Sequence, residues 1–209
     1  MINILMYISS GLIIAAFIGY TLLIIINNRI SIDVDGFNMT KDILNEYNSI
    51  NIIENKGYFT IYNIRRKVIK IASSCYYGNS VSNVSIPLME AGISVIHNNK
   101  NKFILFMEKI VSNLKYLYIL PVIAIIFNYI SSGIVDAKIG IFLLIIFSII
   151  SYLLINIKTE AVMWIDSKLK DKNLKIIKFL NTVILFDKFI FIGELLMIIK
   201  FVAVILNFS

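Results

Sequence analysis

The sequence predicts a mostly α membrane protein, with three to four transmembrane helices and a small cytoplasmic α+β portion. Three observations lead there. Of the 209 residues, 58% are hydrophobic and the mean hydropathy is +0.83, whereas soluble chains usually hold about 45–50% apolar residues. The excess is gathered into long runs, each close to the roughly 20 residues a helix needs to cross the hydrocarbon core. Charged residues are concentrated in two stretches, 27–115 and 158–182.

The net charge of +7 does not point to nucleic acid. Lys and Arg beside membrane spans are the ordinary topology signal, and the partner that composition implies is the lipid bilayer. A single cysteine, Cys75, excludes an internal disulfide and a cysteine-only metal site. The abundance of Ile, Asn and Lys reads as a coding bias, so Asn-rich patches carry no functional weight.

Ile4 to Ile26 is apolar and leads into Asn27-Asn28-Arg29. It has no basic residue before it and is too long for a cleaved signal, so residues 1–28 read as a retained anchor. Residues 29–115 form a polar segment. Within it, Thr40 to Asn48 reads as a short helix capped by Thr40. Tyr58 to Tyr62 and Lys67 to Ser73 read as a strand pair joined by a hairpin turn at 63–66. Gly78-Asn79-Ser80 has turn chemistry. A helix follows from about Ser80 or Ser82 to His97, bent by Pro87, and the polar run 98–102 ends it.

Residues 116–157 read as a transmembrane hairpin: Tyr116 to Ile134 with Pro121, a tight turn at Asp136-Ala137-Lys138, then Ile139 to Ile157. Residues 158–182, with six Lys and three acidic residues, read as a polar connector. Residues 183–209 form a last apolar helix, interrupted by Asp187, Lys188, Glu194 and Lys200. Asp187 and Glu194 are seven apart and share a helical face. Charges at bilayer depth normally face protein or water, so this helix reads as packed inside the bundle or partly at the interface, with a transport path as the alternative. Arg29, Lys41, Lys100, Lys102, Lys109 and Lys115 flank the polar side of the spans. They place residues 29–115 and 158–182 in the cytoplasm and the N-terminus outside.

The chemistry-bearing stretch is Tyr76 to His97. A zinc hydrolase can carry His-Glu-x-x-His on one helix. The two histidines then share a face and bind the metal, and the Glu polarises the metal-bound water. The corresponding residues here are Met89-Glu90-Ala91-Gly92-Ile93, which alone would be no signal.

The flanks change this reading. Tyr76, Gly78-Asn79-Ser80, Val84-Ser85, Glu90, Gly92 and His97 resemble the bacterial YugP-like neutral zinc metallopeptidases. That family typically has Tyr-His-Gly-Asn-Ser, a small-apolar stretch, then His-Glu-Val-Gly-His-Ala-Ile-Gln-His. The alignment is ungapped over the 22 residues 76–97. An N-terminal anchor, Met39-Thr40, a strand pair and Glu160 in Lys158-Thr159-Glu160-Ala161 also stand where the family has comparable features. The resemblance implies a zincin-like arrangement for the α+β portion, with Met89, Ile93 and Glu160 at the three metal-ligand positions and Glu90 at that of the general base.

The departures are as informative. Met89 and Ile93 replace both motif histidines, and Tyr77 replaces the histidine of Tyr-His-Gly-Asn-Ser. Methionine is a weak ligand for zinc and isoleucine is none. Of the three positions only Glu160 could ligate, and without a metal Glu90 is the relic of a base. His97 reads as a helix-end residue and as the one substitute donor. Cys75 reads as a small buried hydrophobe.

Three functions compete. A membrane pseudopeptidase would need no cofactor and would act by binding a membrane protein or an active family member. A residual metallopeptidase would have rebuilt a zinc site from Glu90, His97, Glu160 and Cys75. An unrelated structural or transport component would owe the resemblance to chance, and would place residue 160 far from residue 90.

Overall fold

The computed structural model describes residues 2–98, 134–169 and 173–208. Helices α1 (Ile2–Asn27) and α2 (Gly36–Ile43) come first. Strands β1 (Asn51–Asn55), β2 (Ile61–Asn63) and β3 (Val68–Ala72) follow. Then come α3 (Ser73–Tyr76), α4 (Val81–Asn98), α5 (Ile134–Leu169) and α6 (Leu174–Phe208). The expected span at 116–133, with Pro121, lies outside the described residues, as do Lys100, Lys102, Lys109 and Lys115. Among the described residues three helices, α1, α5 and α6, are long and apolar enough to cross a membrane. The fold is therefore mostly helical with a small α+β portion.

The described residues fall into two compact units. In the first (2–20, 134–155 and 185–208), segments of α1, α5 and α6 pack around Ile13, Leu144, Met197 and Phe201. A methyl group on Gly19 would stand 2.6 Å from the Phe186 ring, and one on Gly193 would stand 3.0 Å from the Ser9 carbonyl oxygen. Those pairings run α1 and α6 antiparallel.

The second unit (21–98, with 156–169 and 173–184) holds the α+β portion. The strand pair is there, with its first strand displaced from 58–62 to Ile61–Asn63: β2 and β3 are antiparallel, with Tyr62 opposite Ile69. The Asn63 side chain accepts the Arg66 N–H at 3.1 Å, and Lys67 takes a positive φ of 48° to close the turn. A third strand had no sequence signal. β1 joins the other side of β3 in parallel register, giving the order β1-β3-β2. Its Asn51-Ile52-Ile53-Glu54-Asn55 run neither alternates cleanly nor concentrates β-branched residues.

Three further expectations are corrected. The first polar helix is α2, capped by Asp35, whose carboxylate accepts the Asn38 N–H at 2.8 Å; Thr40 is buried inside that helix and is not its cap. Asp136-Ala137-Lys138 lies within α5 and forms no tight turn. Residues 158–182 are mainly helical: α5 runs on to Leu169 and α6 starts at Leu174. Polarity had suggested a connector there, but Ile157, Ala161, Ile165 and Leu169 recur at helical spacing and are all buried. The end of α5 docks on the loop after α2, where Lys168 pairs with Glu46 at 2.7 Å and Trp164 meets the Tyr47 ring edge-on.

Candidate functional site

The site is built on α4, which starts from a loop clasped to the exit of α1. Ser80 and Ser82 donate hydroxyl hydrogen bonds to the Asn28 side-chain oxygen, at 2.9 and 3.2 Å. The main-chain N–H of Val81 donates to the Ile30 carbonyl and that of Ile32 to the Asn79 carbonyl. Gly78 is confined by its surroundings, since a methyl group there would stand 2.2 Å from the Ser74 carbonyl oxygen. The Gly-Asn-Ser run is thus the joint between anchor and site helix.

Pro87 sits inside α4 and lacks an N–H, which frees the Asn83 carbonyl from its usual helical partner. That carbonyl lies against Gly36 at the start of α2. The proline thereby marks where α2 packs on α4, and α4 continues through it to Asn98.

On the sheet side, Glu90 faces the edge strand. Its carboxylate accepts the main-chain N–H of Tyr62 at 2.8 Å. Tyr62 sits on β2, which has β3 on one side only, so this N–H points away from the ladder. The Tyr62 ring stacks on His97 with centroids 5.7 Å apart, and burial pushes its phenol above the ordinary range. His97 is itself buried, at 4% exposure.

On the opposite side α4 meets α5. A methyl group on Gly92 would stand 2.9 Å from Ala161 Cβ and 3.0 Å from the Ala161 carbonyl oxygen. Only glycine permits this approach, and it brings the segment holding Glu160 against the segment holding Glu90. Met89 is buried at 7% exposure, Ile93 is half-buried and Glu160 is exposed.

Tyr77 reaches the sheet from its exposed position. Its hydroxyl donates to Glu54 on β1 at 3.0 Å, and Ser73 donates to the other Glu54 oxygen at 2.7 Å. The Glu54 bond raises the Tyr77 phenol above its ordinary value. Cys75 is buried, which pushes its thiol up, with Thr60 and Ser74 pulling the other way. Asn28, Glu54 and Tyr62 carry no sequence signal for these roles. Two act through side-chain reach across elements and the third through its backbone.

A zinc site needs three protein donors around an open position. Among the described residues, no three His, Cys, Asp or Glu side chains converge on one point. The described donors alone do not make up such a set.

These elements define a mostly helical membrane protein with a small sheet, a site helix crossed at Gly92 and a second helix that carries Glu160. A family model described as "Putative neutral zinc metallopeptidase" matches residues 1–161. The chain belongs to that family. The match ends one residue beyond Glu160, and the whole of α6 lies outside it. No curated protein and no solved structure matches the chain.

Proposed function

We propose that this family member is a membrane-bound pseudopeptidase that acts by binding and does not hydrolyse peptides. The observation that carries this reading is the use made of Glu90. The carboxylate at the position of the family's general base accepts the Tyr62 N–H, beside positions occupied by Met89 and Ile93. The side chain that would deprotonate water instead joins the helix to the sheet edge. The crossing at Gly92 and Ala161 supports inheritance of the family scaffold and counts against a fortuitous resemblance.

The anchor and the apolar helices support a lipid-bilayer location. The grouping of residues 29–98 with 156–169 in one unit supports a common cytoplasmic side for both polar segments, with the N-terminus outside. The partner this reading calls for is a membrane protein, including a catalytically competent member of the same family.

The reading is tested by incubating detergent-purified protein and its Glu90→Gln variant with an unfolded protein substrate and added zinc. No cleavage by either is expected. Zinc-dependent cleavage that disappears in Glu90→Gln would overturn it.

A further inference from the structure

Polar groups in the first unit gather in one layer. Glu194 on α6 is 1% exposed, and Ser10 on α1 and Ser148 on α5 are 2% and 6% exposed. The Ser151 hydroxyl hydrogen-bonds the Glu194 carboxyl. The second carboxyl oxygen, Oε2, and the hydroxyls of Ser10 and Ser148 have no hydrogen-bond partner among the described residues.

The register of the helices puts these groups at one level. Gly193, next to Glu194, meets Ser9 and Ile13 of α1. Tyr152, next to Ser151, lies against Phe191 with ring centroids 6.1 Å apart. Ile13, Leu144, Met197 and Phe201 form the adjoining apolar layer. The Gly193 and Tyr152 contacts bring the Ser10 turn of α1 and the Ser151 turn of α5 to the level of Glu194.

A serine inside a helix ordinarily bonds back to the carbonyl one turn earlier. Ser9 does so, to Met6 at 3.0 Å, whereas Ser10 and Ser148 do not. A buried polar group left without a partner is destabilising, and three beside one another in an apolar unit call for a shared ligand.

We propose that Glu194, with the hydroxyls of Ser10, Ser148 and Ser151, binds one small monovalent cation of the sodium class. The burial admits only a guest without side chains of its own. The donors are all oxygen, which suits a hard cation. One carboxylate balances one positive charge, whereas a divalent ion would leave net charge in apolar surroundings. Glu194 lies beyond the family match, whereas Ser10, Ser148 and Ser151 lie within it.

The test is carbodiimide labelling of the full chain in detergent, read by mass spectrometry at Glu194. Sodium chloride is exchanged for choline chloride at constant ionic strength. Labelling in choline is expected to fall about tenfold as sodium reaches saturation, by mass action. The Ser148→Ala/Ser151→Ala variant is expected to label fully in choline and to need more sodium for protection, and the protection it still reaches at high sodium reports an intact fold. Labelling indifferent to sodium would overturn the proposal, as would equal protection by choline. So would unmodified Glu194 in native protein that labels once denatured, or wild-type protection in the double variant.

Discussion

Glu90 on α4 accepts the main-chain N–H of Tyr62 on the sheet edge at 2.8 Å. An acceptor oxygen is all this joint requires, and glutamine supplies one. Glu90→Gln is expected to leave stability nearly unchanged. Glu90→Ala strands the part-buried Tyr62 N–H and is expected to cost about 1–3 kcal/mol. Chemical denaturation of both variants in detergent checks this. Equal stability of the Ala and wild-type chains would remove the structural role assigned to Glu90.

Gly92 lets α4 approach Ala161 more closely than any side chain allows. Gly92→Ala gains helix propensity of up to about 1 kcal/mol but forces the two helices apart. Overpacking of this kind costs about 1–3 kcal/mol. A lower melting temperature is the expected outcome, and a higher one would contradict the close crossing.

Cys75 gives a pH dependence of known sign. Burial raises its thiol above the ordinary 9.0, so the folded chain keeps a proton that the unfolded chain has lost. The associated stability is fully present below the unfolded value and is lost as the pH rises through the folded one. Tyr62 and Tyr77 also titrate high, so the quantity to measure is the difference between wild type and Cys75→Ala. The wild type is expected to lose more stability than the variant on going from neutral to alkaline pH. A difference that stays constant with pH would contradict the burial of the thiol.

The topology can be read with one added thiol. Tyr58 lies exposed between β1 and β2. In a Cys75→Ala background, Tyr58→Cys is expected to react with a membrane-impermeant maleimide only after cells are permeabilised. Labelling of intact cells would place this unit outside.

Much of the architecture was legible because it rests on local pattern. The anchor, the β2–β3 hairpin and α4 follow from apolar length, β-branched residues with turn chemistry, and helical spacing. Where long-range contacts decide, the sequence is silent. β1 exists because β3 offers it a parallel edge. The helicity of 158–169 comes from a buried stripe whose spacing is helical but whose average composition is polar. Family resemblance located Glu90 and Glu160. Glu90 accepts a backbone N–H from a residue 28 positions earlier in the chain, which no motif encodes. Asp187 and Glu194 share a helical face by spacing, yet only Glu194 is fully buried. Neighbouring helices make that distinction.

Bound metal per chain tests the central claim most directly. Protein purified in detergent, without chelator and without added zinc, is analysed for metal by mass spectrometry. The account predicts a zinc content near zero, because Met89 ligates zinc weakly, Ile93 not at all, and no donor triad converges among the described residues. About one tightly held zinc per chain, lost on substituting His97, Glu160 or Cys75, would contradict it.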